Sequence, residues 1–393
     1  MMSTTVPTRG DLVEAAGKLV PLLRSRALWI DENRRLPPDV IEAVEESGLL
    51  RMQVPAQYGG YESDVRSFVD VLAEVAKGNS SVAFCMSIYA SLTWMVGLWP
   101  DEALDEVFAR PHVRVSGTTA ATGTATRVDG GYLLNGSWGF NSGVLHSHWK
   151  ITAAMPEGPA GETFPLFSLV PVDELEIVDD WHTIGLQGSG SVTTVARDVF
   201  VPDRRVISGA EFYQNISKSQ VNAVKPGYRV PMLVTATAMQ TGQLVGAAKY
   251  ALAAFLERLP GRPLTYTSYP SQREAPVTHL QVGEAALLIE DAEARAHRFA
   301  DLLARKIDRD EPWSQEDRVF SRVQIGWIAR QAKQAVEILA AASGGSSIFQ
   351  DVPITRIQRD VHATSLHSLI TPSTNIELYG RLLSGLEPNT VYL

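Results

Sequence analysis

The spacing of apolar residues changes twice along this chain, and these changes limit the fold that it can adopt. From about residue 10 to residue 112 apolar side chains recur at helical spacing, as in Leu12, Ala16 and Leu19. From about residue 113 to residue 207 short runs of Val, Thr and aromatic residues lie between Gly, Asp and Pro, which is typical of strands. Helical spacing returns beyond about Pro231. This order predicts an α+β fold in which helices flank a β segment.

The middle part of the chain contains several candidate strands. They are Val113–Val115, Gly131–Leu134, Trp149–Thr152, Phe167–Val170 and Val192–Val201. Asp129-Gly130-Gly131 precedes the second of them and predicts a hairpin turn, because an Asp-Gly pair adopts the backbone angles that a two-residue loop requires. We therefore expect an antiparallel sandwich or barrel here.

The last part of the chain carries long helical patterns, namely Thr235–Leu259, Val277–Ile307 and Gln315–Ser343. At about 1.5 Å per residue such helices span roughly 40 Å, which fits a four-helix bundle or a subunit interface. The predicted organisation is an N-terminal all-helical domain (1–112), a central β-sandwich or barrel domain (113–225) and a C-terminal four-helix-bundle domain (226–393).

Composition and charge argue against binding to nucleic acid. The chain has 393 residues, and its 45% of hydrophobic residues is enough for a large core. It has 35 basic and 44 acidic residues, a formal net charge of −9, and no concentrated basic stripe. Without a basic surface the phosphate backbone has nothing to attract it, so we expect no nucleic-acid partner.

The cysteine content and the apolar runs bear on the compartment. Cys85 is the only cysteine, so neither a disulfide nor a thiolate zinc site can form within one chain, and a cytoplasmic setting fits. The first ten residues have no apolar core, so we expect no secretory signal. The longest apolar stretches, such as Met86–Leu98, are shorter than about 18 residues, so we expect no membrane span.

Several segments resemble landmarks of the acyl-CoA dehydrogenase family and follow one another in that family's order. They are Pro55–Gly60, Gly130–Gly143, Trp181–Ser191 followed by Asp198–Pro202, Gly344–Gly345 and Arg359–Asp360. They look like the loop after the family's first helices, the strand pair and the second loop beside its flavin, and the C-terminal landmarks that approach the flavin. The resemblance covers nearly the whole chain and implies an acyl-CoA dehydrogenase-like α+β fold.

The chain departs from this family at the catalytic base. An acyl-CoA dehydrogenase removes an α-proton with a carboxylate that must lie within hydrogen-bond reach of the substrate. In the family the base usually lies in a Tyr-Glu-Gly-Thr motif, and the matching positions here are Ile370, Thr371, Pro372 and Ser373. The family's other location is early in the first long C-terminal helix, yet no Asp or Glu occurs between Glu211 and Glu257. Glu377 is the nearest candidate, and it falls later in the sequence.

The chain is more similar to the flavin-dependent monooxygenase branch of this fold, the oxygenase components of two-component systems. That resemblance implies reduced flavin (FADH2 or FMNH2) from a separate NAD(P)H:flavin reductase, O₂ as co-substrate, and a flavin C4a-hydroperoxide. The branch carries a histidine in the C-terminal segment and a hydroxyl residue beside the flavin, and His367 and Ser142 match them. An imidazole can accept or position a phenolic or indolic proton. The resemblance also implies a homotetramer.

Further residues are candidates for holding the flavin. Trp138 could lie along its ring system, because an indole is flat and apolar. Ser189 and Ser191 belong to a Gly-Ser-Gly-Ser loop whose backbone allows close approach to the cofactor. Arg262 follows the first long C-terminal helix, where the fold often carries an arginine for the diphosphate. The family's Arg-x-x-Phe-Gly signature is absent there. No dinucleotide fingerprint or phosphate loop occurs, which agrees with a reductase in trans.

Other candidates have equally plausible structural roles. Tyr89 and Trp94 could line an aromatic-substrate pocket, although an aromatic-rich helix is often simply core. His362 is a second candidate for the pocket, and any of these histidines can also serve packing. His146 and His148 alternate as they would on one strand face, but no third ligand is in view, so we expect no metal site.

The sequence thus predicts a two-component, reduced-flavin-dependent monooxygenase that hydroxylates a small aromatic compound. A phenol, a polycyclic polyketide or an indole is the expected substrate, since natural-product tailoring hydroxylases, indole hydroxylases among them, are the most similar group. Two alternatives remain open: an N-oxygenase of an amino sugar or amine, and an acyl-CoA dehydrogenase. A non-enzymatic scaffold is a remote third.

Overall fold

The N-terminal part of the protein is helical. The computed structural model describes residues 6–157 and 164–393. The helices before the sheet are α1 (Arg9–Ser25), α2 (Ala27–Asn33), α3 (Pro38–Glu46), α4 (Val65–Ala76), α5 (Ser80–Val96) and α6 (Asp101–Phe108). Side chains cap several of them: Asp64 accepts a hydrogen bond from the N–H of Ser67 at the start of α4, and Asn79 accepts one from Val82 at the start of α5. Helix α5 is almost entirely buried, so it forms the centre of this part.

The central part is a single mixed sheet. Its strands are β1 (Val115–Val128), β2 (Gly131–Trp138), β3 (Trp149–Glu157), β4 (Leu166–Pro171), β5 (Glu176–Val178), β6 (Thr193–Pro202) and β7 (Val206–Ser208). Among the described residues the strand order is β5-β6-β2-β1-β3-β4-β7. The hairpin predicted at Asp129-Gly130 is confirmed, because Val128 pairs with Gly131 and Gly130 has a φ of +75°.

The prediction of a purely antiparallel sandwich or barrel is wrong. β1 and β3 run parallel, because the chain crosses over after β2 and enters the sheet again on the other side of β1. The sequence pattern predicts where strands lie, but it does not predict which strands pair with each other or in which direction. The short edge strands β5 and β7 were not predicted either. They pair with β6 and β4 over three residues each.

The two faces of the sheet pack differently. One face shares a core with the N-terminal helices, in which Val115, Ile151 and Phe167 join side chains such as Leu72 and Trp99. The other face holds a smaller cluster built from residues such as Leu134, Trp138 and Val170. The strands all lie inside the predicted segment 113–225, while one core unites that segment's sheet with the helices before it.

The C-terminal part is helical again, after the short α7 (Gly209–Tyr213). Its helices are α8 (Met232–Met239), α9 (Thr241–Arg258), α10 (Pro276–Asp308), α11 (Gln315–Ala342), α12 (Pro353–Ser365) and α13 (Pro372–Leu383). The predicted helix Thr235–Leu259 is in fact two helices that meet at Gln240.

Helices α9 and α4 pack with their backbones in close contact. A Cβ on Gly242 would lie 2.1 Å from the carbonyl oxygen of Val69, and one on Gly246 would lie 2.0 Å from that of Ala73. Only glycine fits at these two positions, four residues apart on one helix face. This contact docks the C-terminal helices on the N-terminal ones. No helix of the described residues is long and apolar enough to cross a membrane.

Candidate active site

The loop Trp181–Ser191, between β5 and β6, is enclosed by helices from both ends of the chain. A Cβ on Gly188 would lie 2.0 Å from Cγ2 of Ile30 in α2 and 3.1 Å from Cβ of Ser81 in α5. On the opposite side the N–H of Leu186 donates a hydrogen bond to Oδ1 of Asp360 in α12, at 2.7 Å. N-terminal and C-terminal helices therefore position this loop together.

A bidentate ion pair anchors the segment that leads into this loop. Arg34, the residue after α2, has a left-handed backbone with φ of 54°. Its guanidinium donates to both carboxylate oxygens of Asp179, at 2.6 and 2.8 Å, and to the carbonyl oxygen of Trp181 at 3.3 Å. Parallel hydrogen bonds of this kind fix direction as well as distance.

The turn after β2 lies directly beside the same loop. The N–H of Gly143 donates to the carbonyl oxygen of Ser189 at 2.8 Å. The hydroxyl of Tyr89 in α5 donates to the carbonyl oxygen of Gly143 at 2.8 Å, and that of Ser116 in β1 donates to the carbonyl oxygen of Ser142 at 2.9 Å. Ser142 is thus held from the sheet and from α5.

The structure brings together three of the predicted site residues, Ser142, Ser189 and Ser191. Ser142 Oγ lies 2.8 Å from Ser191 Oγ, which lies 2.7 Å from Ser189 Oγ. Ser189 Oγ also donates to the carbonyl oxygen of Leu186 at 2.7 Å. All three serines are buried, so their hydroxyls form one continuous chain with little access to water.

Trp138 does not lie where the sequence interpretation placed it. Its ring is fully buried in the small cluster on one face of the sheet, and its Nε1 donates to the carbonyl oxygen of Ala153 at 2.8 Å. Nζ of the buried Lys150 lies 4.4 Å from the ring centroid. A ring enclosed on all sides has no face left for a cofactor, so Trp138 belongs to the core of the sheet.

Phe140 is the exposed aromatic residue of this turn, and the sequence interpretation missed it. Its side chain is 76% exposed, its φ is 60°, and it lies two residues before Ser142. Its ring meets that of Trp181 edge to face, with centroids 5.7 Å apart. Phe140 and Trp181 therefore form an aromatic pair at the turn that carries Ser142.

The aromatic residues of α5 do not line an open pocket. Tyr89 is buried and uses its hydroxyl to hold Gly143, and burial raises the pKa of that phenol well above its usual value. Trp94 is buried and stacks on Tyr228, with centroids 5.4 Å apart. The prediction that they contact a substrate is not supported by this packing. Tyr89 instead supports the turn that carries Ser142.

His367 lies in the turn between α12 and α13, and its ring meets that of Phe84 in α5 at a centroid distance of 6.1 Å. Its Nδ1 accepts a hydrogen bond from the N–H of Leu369 at 3.2 Å. Burial, with a smaller effect of Arg322, lowers the pKa of His367 to about 4. The ring is therefore neutral near pH 7.

This contact also fixes which nitrogen of His367 carries the proton. A backbone N–H can only donate, so Nδ1 must offer a lone pair and the proton of the neutral ring sits on Nε2. Nε2 makes no hydrogen bond within the described residues. In this arrangement His367 presents a donor, and the expectation that it accepts a substrate proton is not supported.

Neighbouring residues brace this turn. Arg322 Nε donates to Asn375 Oδ1 at 3.0 Å, and Asn375 Nδ2 donates to the carbonyl oxygen of Leu369 at 2.9 Å. His362, the second histidine candidate, is half-buried on α12, and its side chain makes no hydrogen bond in the part of the chain that the structure describes. The sequence alone gave no reason to single out Asn375.

Arg262 lies apart from the serine hydroxyls. It follows α9, and its guanidinium donates to the carbonyl oxygen of Ser343 and, at 3.3 Å, to Ser346 Oγ. Arg258 donates to the same hydroxyl at 3.1 Å. Burial and the neighbouring Arg258 lower the pKa of Arg262. Two guanidinium groups thus converge on the turn that follows Gly344, as an anion site requires.

His146 and His148 do not share a strand face. His146 ends a 3-10 turn, and its Nε2 accepts the N–H of Leu36 at 3.1 Å. His148 precedes β3, and its Nδ1 accepts the N–H of Arg114 at 3.2 Å. Burial lowers the pKa of each to about 4, so both are neutral acceptors for backbone N–H groups. No group of three or more metal-ligating side chains occurs among residues 6–157 and 164–393.

Asp360 is the buried carboxyl group next to the loop. Burial and the neighbouring Asp31 raise its pKa to about 7, against the opposing effects of the Leu186 N–H, Arg356 and Arg359. Its Oδ1 accepts the hydrogen bond from the N–H of Leu186 at 2.7 Å. Glu377, considered above as a base, is exposed and accepts a hydrogen bond from Asn389 at 3.1 Å. Neither carboxyl group is placed to abstract a proton from a substrate.

A group of buried polar side chains lies where α8 meets α9. Gln243 Nε2 donates to Gln240 Oε1 at 2.8 Å, and the hydroxyl of Ser87 in α5 approaches the same oxygen at 3.5 Å. Ser87 is one turn along α5 from Phe84, the neighbour of His367. Gln240 Nε2 and Gln243 Oε1 have no partner within the described residues. The break at Gln240 therefore places a pair of amide groups against α5, one turn from the residue that meets His367.

Comparison with known proteins places the chain in a family. It matches the models described as acyl-CoA dehydrogenase N-terminal domain, at residues 18–114, and C-terminal domain, at residues 238–372. Its structure resembles that of XiaF from Streptomyces sp. in complex with FADH2 and glycerol, with a TM-score of 0.92, 30% identity and 97% of each chain covered. The chain belongs to the acyl-CoA dehydrogenase-fold flavin-dependent monooxygenases.

Other members of this monooxygenase family cover its length equally well. The chain is 29% identical to the pigment production hydroxylase of Rhodococcus sp. (strain ATCC 21145), over 95% of this chain and 96% of the relative. It is 28% identical to the oxygenase component of the FADH(2)-dependent resorcinol hydroxylase of Rhizobium sp. (strain MTP-10005), over 97% and 96%. The predicted fold class and enzyme class are thereby confirmed. The roles of individual site residues stay predictions.

The raised pKa of Asp360 predicts how the variant Asp360→Asn responds to pH. The folded protein holds a proton on Asp360 up to about pH 7, whereas the unfolded chain loses it near 3.8. Asp360 therefore loses its contribution to stability as pH rises from about 4 to 7. Asn keeps an acceptor for the N–H of Leu186 and does not titrate. As pH rises from about 4 to 7, we therefore expect the free energy of unfolding of Asp360→Asn to increase relative to that of the parent, by up to about 4 kcal/mol.

Urea unfolding at pH 4, 5.5, 7 and 8 measures this difference. Asp203→Asn is a matched control, because Asp203 is an exposed carboxylate paired with Arg127 beside the β1–β2 hairpin. A difference between Asp360→Asn and the parent that stays constant with pH would contradict the assignment.

Proposed function

We propose that this protein is the oxygenase component of a two-component system and uses reduced flavin and O₂ to hydroxylate a neutral aromatic compound. The observation that carries the proposal is a buried serine hydroxyl chain together with a neutral His367 whose ring proton lies on Nε2. Such residues offer hydrogen bonds from uncharged groups, and the buried carboxyl group beside the loop, Asp360, already accepts the N–H of Leu186. This set of residues suits insertion of oxygen into an electron-rich ring better than removal of a C–H proton.

The residues beside the serine chain fit a flavin. Phe140 gives an exposed aromatic surface two residues before Ser142, and the hydroxyls of Ser142, Ser189 and Ser191 contact one another. Ser81 Oγ is buried against Gly188 without a partner within the described residues. When bound, reduced flavin supplies the two electrons that activate O₂. This chain's own residues orient the ring and keep water away, which limits wasteful release of hydrogen peroxide.

The groups along this side of α5 support a substrate that is flat, uncharged and able to form hydrogen bonds. Phe84 packs against the ring of His367, whose Nε2 is a donor. The amide pair Gln240 and Gln243, which meets Ser87 one turn along α5 from Phe84, supplies both donors and acceptors. A phenol, a hydroxylated polycycle or an indole would use all of them. The similarity of the chain to a resorcinol hydroxylase is consistent with this class.

The alternatives fit less well. An N-oxygenase acting on an amino sugar or amine would receive a cation and would benefit from a carboxylate beside the donor groups, yet the segment between Glu211 and Glu257 contains none. A dehydrogenase needs a carboxylate base. The position that matches the base of the acyl-CoA dehydrogenases is Thr371, whose hydroxyl donates a hydrogen bond to the carbonyl oxygen of His367 at 3.0 Å. Both classes therefore lack the charge on which their chemistry depends.

The assembly and partners follow from the same proposal. A separate NAD(P)H:flavin reductase supplies the reduced flavin, in keeping with relatives named as oxygenase components. A homotetramer is supported by apolar side chains on α10 that face outward, such as Leu280 and Leu287, which are 75% and 64% exposed. Arg258 and Arg262 form the proposed site for the phosphate groups of the flavin. The single buried cysteine is consistent with the proposed cytoplasmic setting.

Reconstitution tests the function. The protein is mixed with FAD or FMN that a reductase keeps reduced, with O₂, and with a panel of phenols, indoles and polycyclic phenols, and products are analysed by mass spectrometry. We expect a product heavier by one oxygen atom, derived from ¹⁸O₂. Parallel assays offer amines, and acyl thioesters with an artificial electron acceptor. Product in those assays alone would replace the proposal with an N-oxygenase or a dehydrogenase.

Trp138 and Phe140 form a matched pair for testing the flavin surface. Trp138→Phe should lower the free energy of unfolding by about 2 kcal/mol, because it leaves a cavity in the sheet core, and should leave the Kd for reduced flavin unchanged. Phe140→Ala should leave stability nearly unchanged, because the side chain is exposed, and should raise that Kd about tenfold. Denaturant unfolding and anaerobic flavin titration measure the two quantities. The reverse pattern would indicate that Trp138, and not Phe140, contacts the flavin.

The His367 assignment makes a prediction about hydroxylation. His367→Ala removes the Nε2 donor and should lower the rate of product formation about 10- to 100-fold while reduced flavin is still oxidised. His367→Gln can place an amide N–H near the same point and should keep more of the rate. The control His279→Gln changes an exposed histidine at the start of α10 and should have no effect on either rate.

The pH profile separates a donor from a base. Since the pKa of His367 is about 4, the ring stays neutral as pH falls from 8 to about 5, and the parent's rate should show no loss that depends on His367. A base of ordinary pKa would lose activity below about pH 6.5. A loss near pH 6.5 that disappears in His367→Gln would contradict the donor role.

A further inference from the structure

The main chain of His367 and its ring are held by different groups. The N–H groups of Ile370 and Thr371 donate to the carbonyl oxygen of His367 at 2.8 and 2.9 Å, and its own N–H donates to the carbonyl oxygen of Thr364 at 3.1 Å. Within the described residues the ring has a single hydrogen bond, which Nδ1 accepts from the N–H of Leu369. The position of Leu369 therefore decides how the imidazole is oriented, whereas the main chain of His367 is secured independently.

A buried amide holds the other polar group of Leu369. Asn375 Nδ2 donates to the carbonyl oxygen of Leu369 at 2.9 Å, and Asn375 Oδ1 accepts from Arg322 Nε at 3.0 Å. Because one partner can only accept and the other can only donate, the amide satisfies both in one orientation alone. The main chain of Leu369 is thus fixed between the ring of His367 and the side chain of Asn375.

Arg322 is buried although it has no acidic partner. It is 7% exposed, burial lowers the pKa of its guanidinium, and no carboxylate pairs with it within the described residues. A buried charge is costly unless its N–H groups are satisfied. Its other acceptor is the carbonyl oxygen of Tyr392, 2.5 Å from Nη1. The ring of Tyr392 meets that of Tyr213 edge to face, with centroids 5.6 Å apart. Arg322 therefore joins α11 to the segment after α13 and to Asn375.

A glycine in α11 makes room for Asn375. Gly326 lies one turn along the helix from Arg322, and a Cβ at this position would lie 2.7 Å from Cβ of Asn375. A side chain there would push α13 or the amide away, because packed helices leave little free space. The pattern Arg322-x-x-x-Gly326 thus supplies a buried donor and, beside it, the space for its acceptor.

We propose that Arg322 and Asn375 are positioning residues for the hydroxylation, which act through Leu369 to hold the ring of His367 in one orientation with its proton on Nε2. The proposal rests on the function proposed above, in which His367 is a donor. A neutral imidazole can carry its proton on either nitrogen. The network excludes the second form, because a proton on Nδ1 would face the N–H of Leu369.

Nuclear magnetic resonance of ¹⁵N-labelled histidine rings tests this without turnover. In each neutral ring the nitrogen that carries the proton is identified by its chemical shift, and His367→Gln identifies the signals of His367. We expect the proton on Nε2 in the parent and a mixture of both tautomers in Asn375→Ala. A parent-like ring signal in Asn375→Ala would overturn the proposal.

A double-mutant cycle then separates positioning from a loss of stability. Asn375→Ala should lower the rate of product formation about tenfold, the value of one hydrogen bond to a buried group. In the His367→Ala background it should have no effect, because the ring to be oriented is absent. An equal loss in both backgrounds would show a merely structural role and would contradict the proposal.

Asn222→Ala is the matched control for Asn375→Ala. Asn222 is equally buried, and its Nδ2 donates to the carbonyl oxygen of Gly97 at 3.1 Å. The two variants should lose similar stability, yet Asn222→Ala should keep the parent's rate and histidine signals. Arg322→Lys keeps the charge but replaces the planar fork by one nitrogen, so it should reproduce most of the loss seen in Asn375→Ala. A parent-like Arg322→Lys would remove Arg322 from the proposal.

Glycine variants test the geometry without removing any hydrogen-bonding group. Gly326→Ala should displace Asn375 and should change the His367 signals as Asn375→Ala does. Gly380→Ala is its control, because a Cβ on Gly380 in α13 meets no atom within 4 Å. Parent-like His367 signals in a folded Gly326→Ala would contradict the proposed route through Asn375.

The outcomes separate this inference from the proposed function. If the parent hydroxylates an aromatic compound and Asn375→Ala matches it in rate and in ring signals, the inference fails and the function stands. If the parent hydroxylates none while Asn375→Ala still changes the ring signals, the proposed function fails and the role of both residues in hydroxylation fails with it.

Discussion

Leu186 makes the contacts on which the rest of the site depends. Its backbone is left-handed, with φ of 52°, and both of its peptide groups are held: the N–H by Asp360, and the carbonyl oxygen by Ser189 Oγ and Trp181 Nε1. A leucine in this conformation costs energy that neighbouring contacts must offset. Because the carbonyl oxygen accepts from Ser189, it is also the contact that anchors the hydrogen-bonded serines to the loop.

Most of the fold could be predicted, because its signals are local. The change from helical to strand periodicity and the Asp129-Gly130 hairpin depend on residues that are neighbours in the sequence. The parallel pairing of β1 and β3 and the break at Gln240 depend on distant partners. Gln240 has neither a proline nor a glycine to mark it, and α9 is placed by contact of Gly242 and Gly246 with the backbone of α4. Propensity carries no information about such contacts.

The candidate site was predictable in its residue types and less so in their roles. Motif resemblance found Ser142, Ser189 and Ser191, which lie in contact. It chose Trp138 over Phe140, although strand alternation could have decided between them: Trp138 shares a face with the buried Leu134, and Phe140 lies beyond the strand's end. The proton on His367 Nε2 follows from the N–H of Leu369, which only the folded turn brings to Nδ1. No sequence pattern contains that contact.

The chemistry of the site depends on how burial changes the protonation of its titratable groups. Burial lowers the pKa of His367 to about 4 and raises that of Asp360 to about 7, so near neutral pH the imidazole is uncharged and the carboxyl group is at the margin of ionisation. Where the acyl-CoA dehydrogenases need a carboxylate base, this chain places a hydrogen-bonded group of serine hydroxyls and a histidine whose ring proton lies on Nε2. Fixed dipoles of this kind can stabilise developing charge without moving a proton of their own. The proposed hydroxylation therefore asks the chain's residues to orient the reactants, while the reduced flavin and O₂ supply the chemistry.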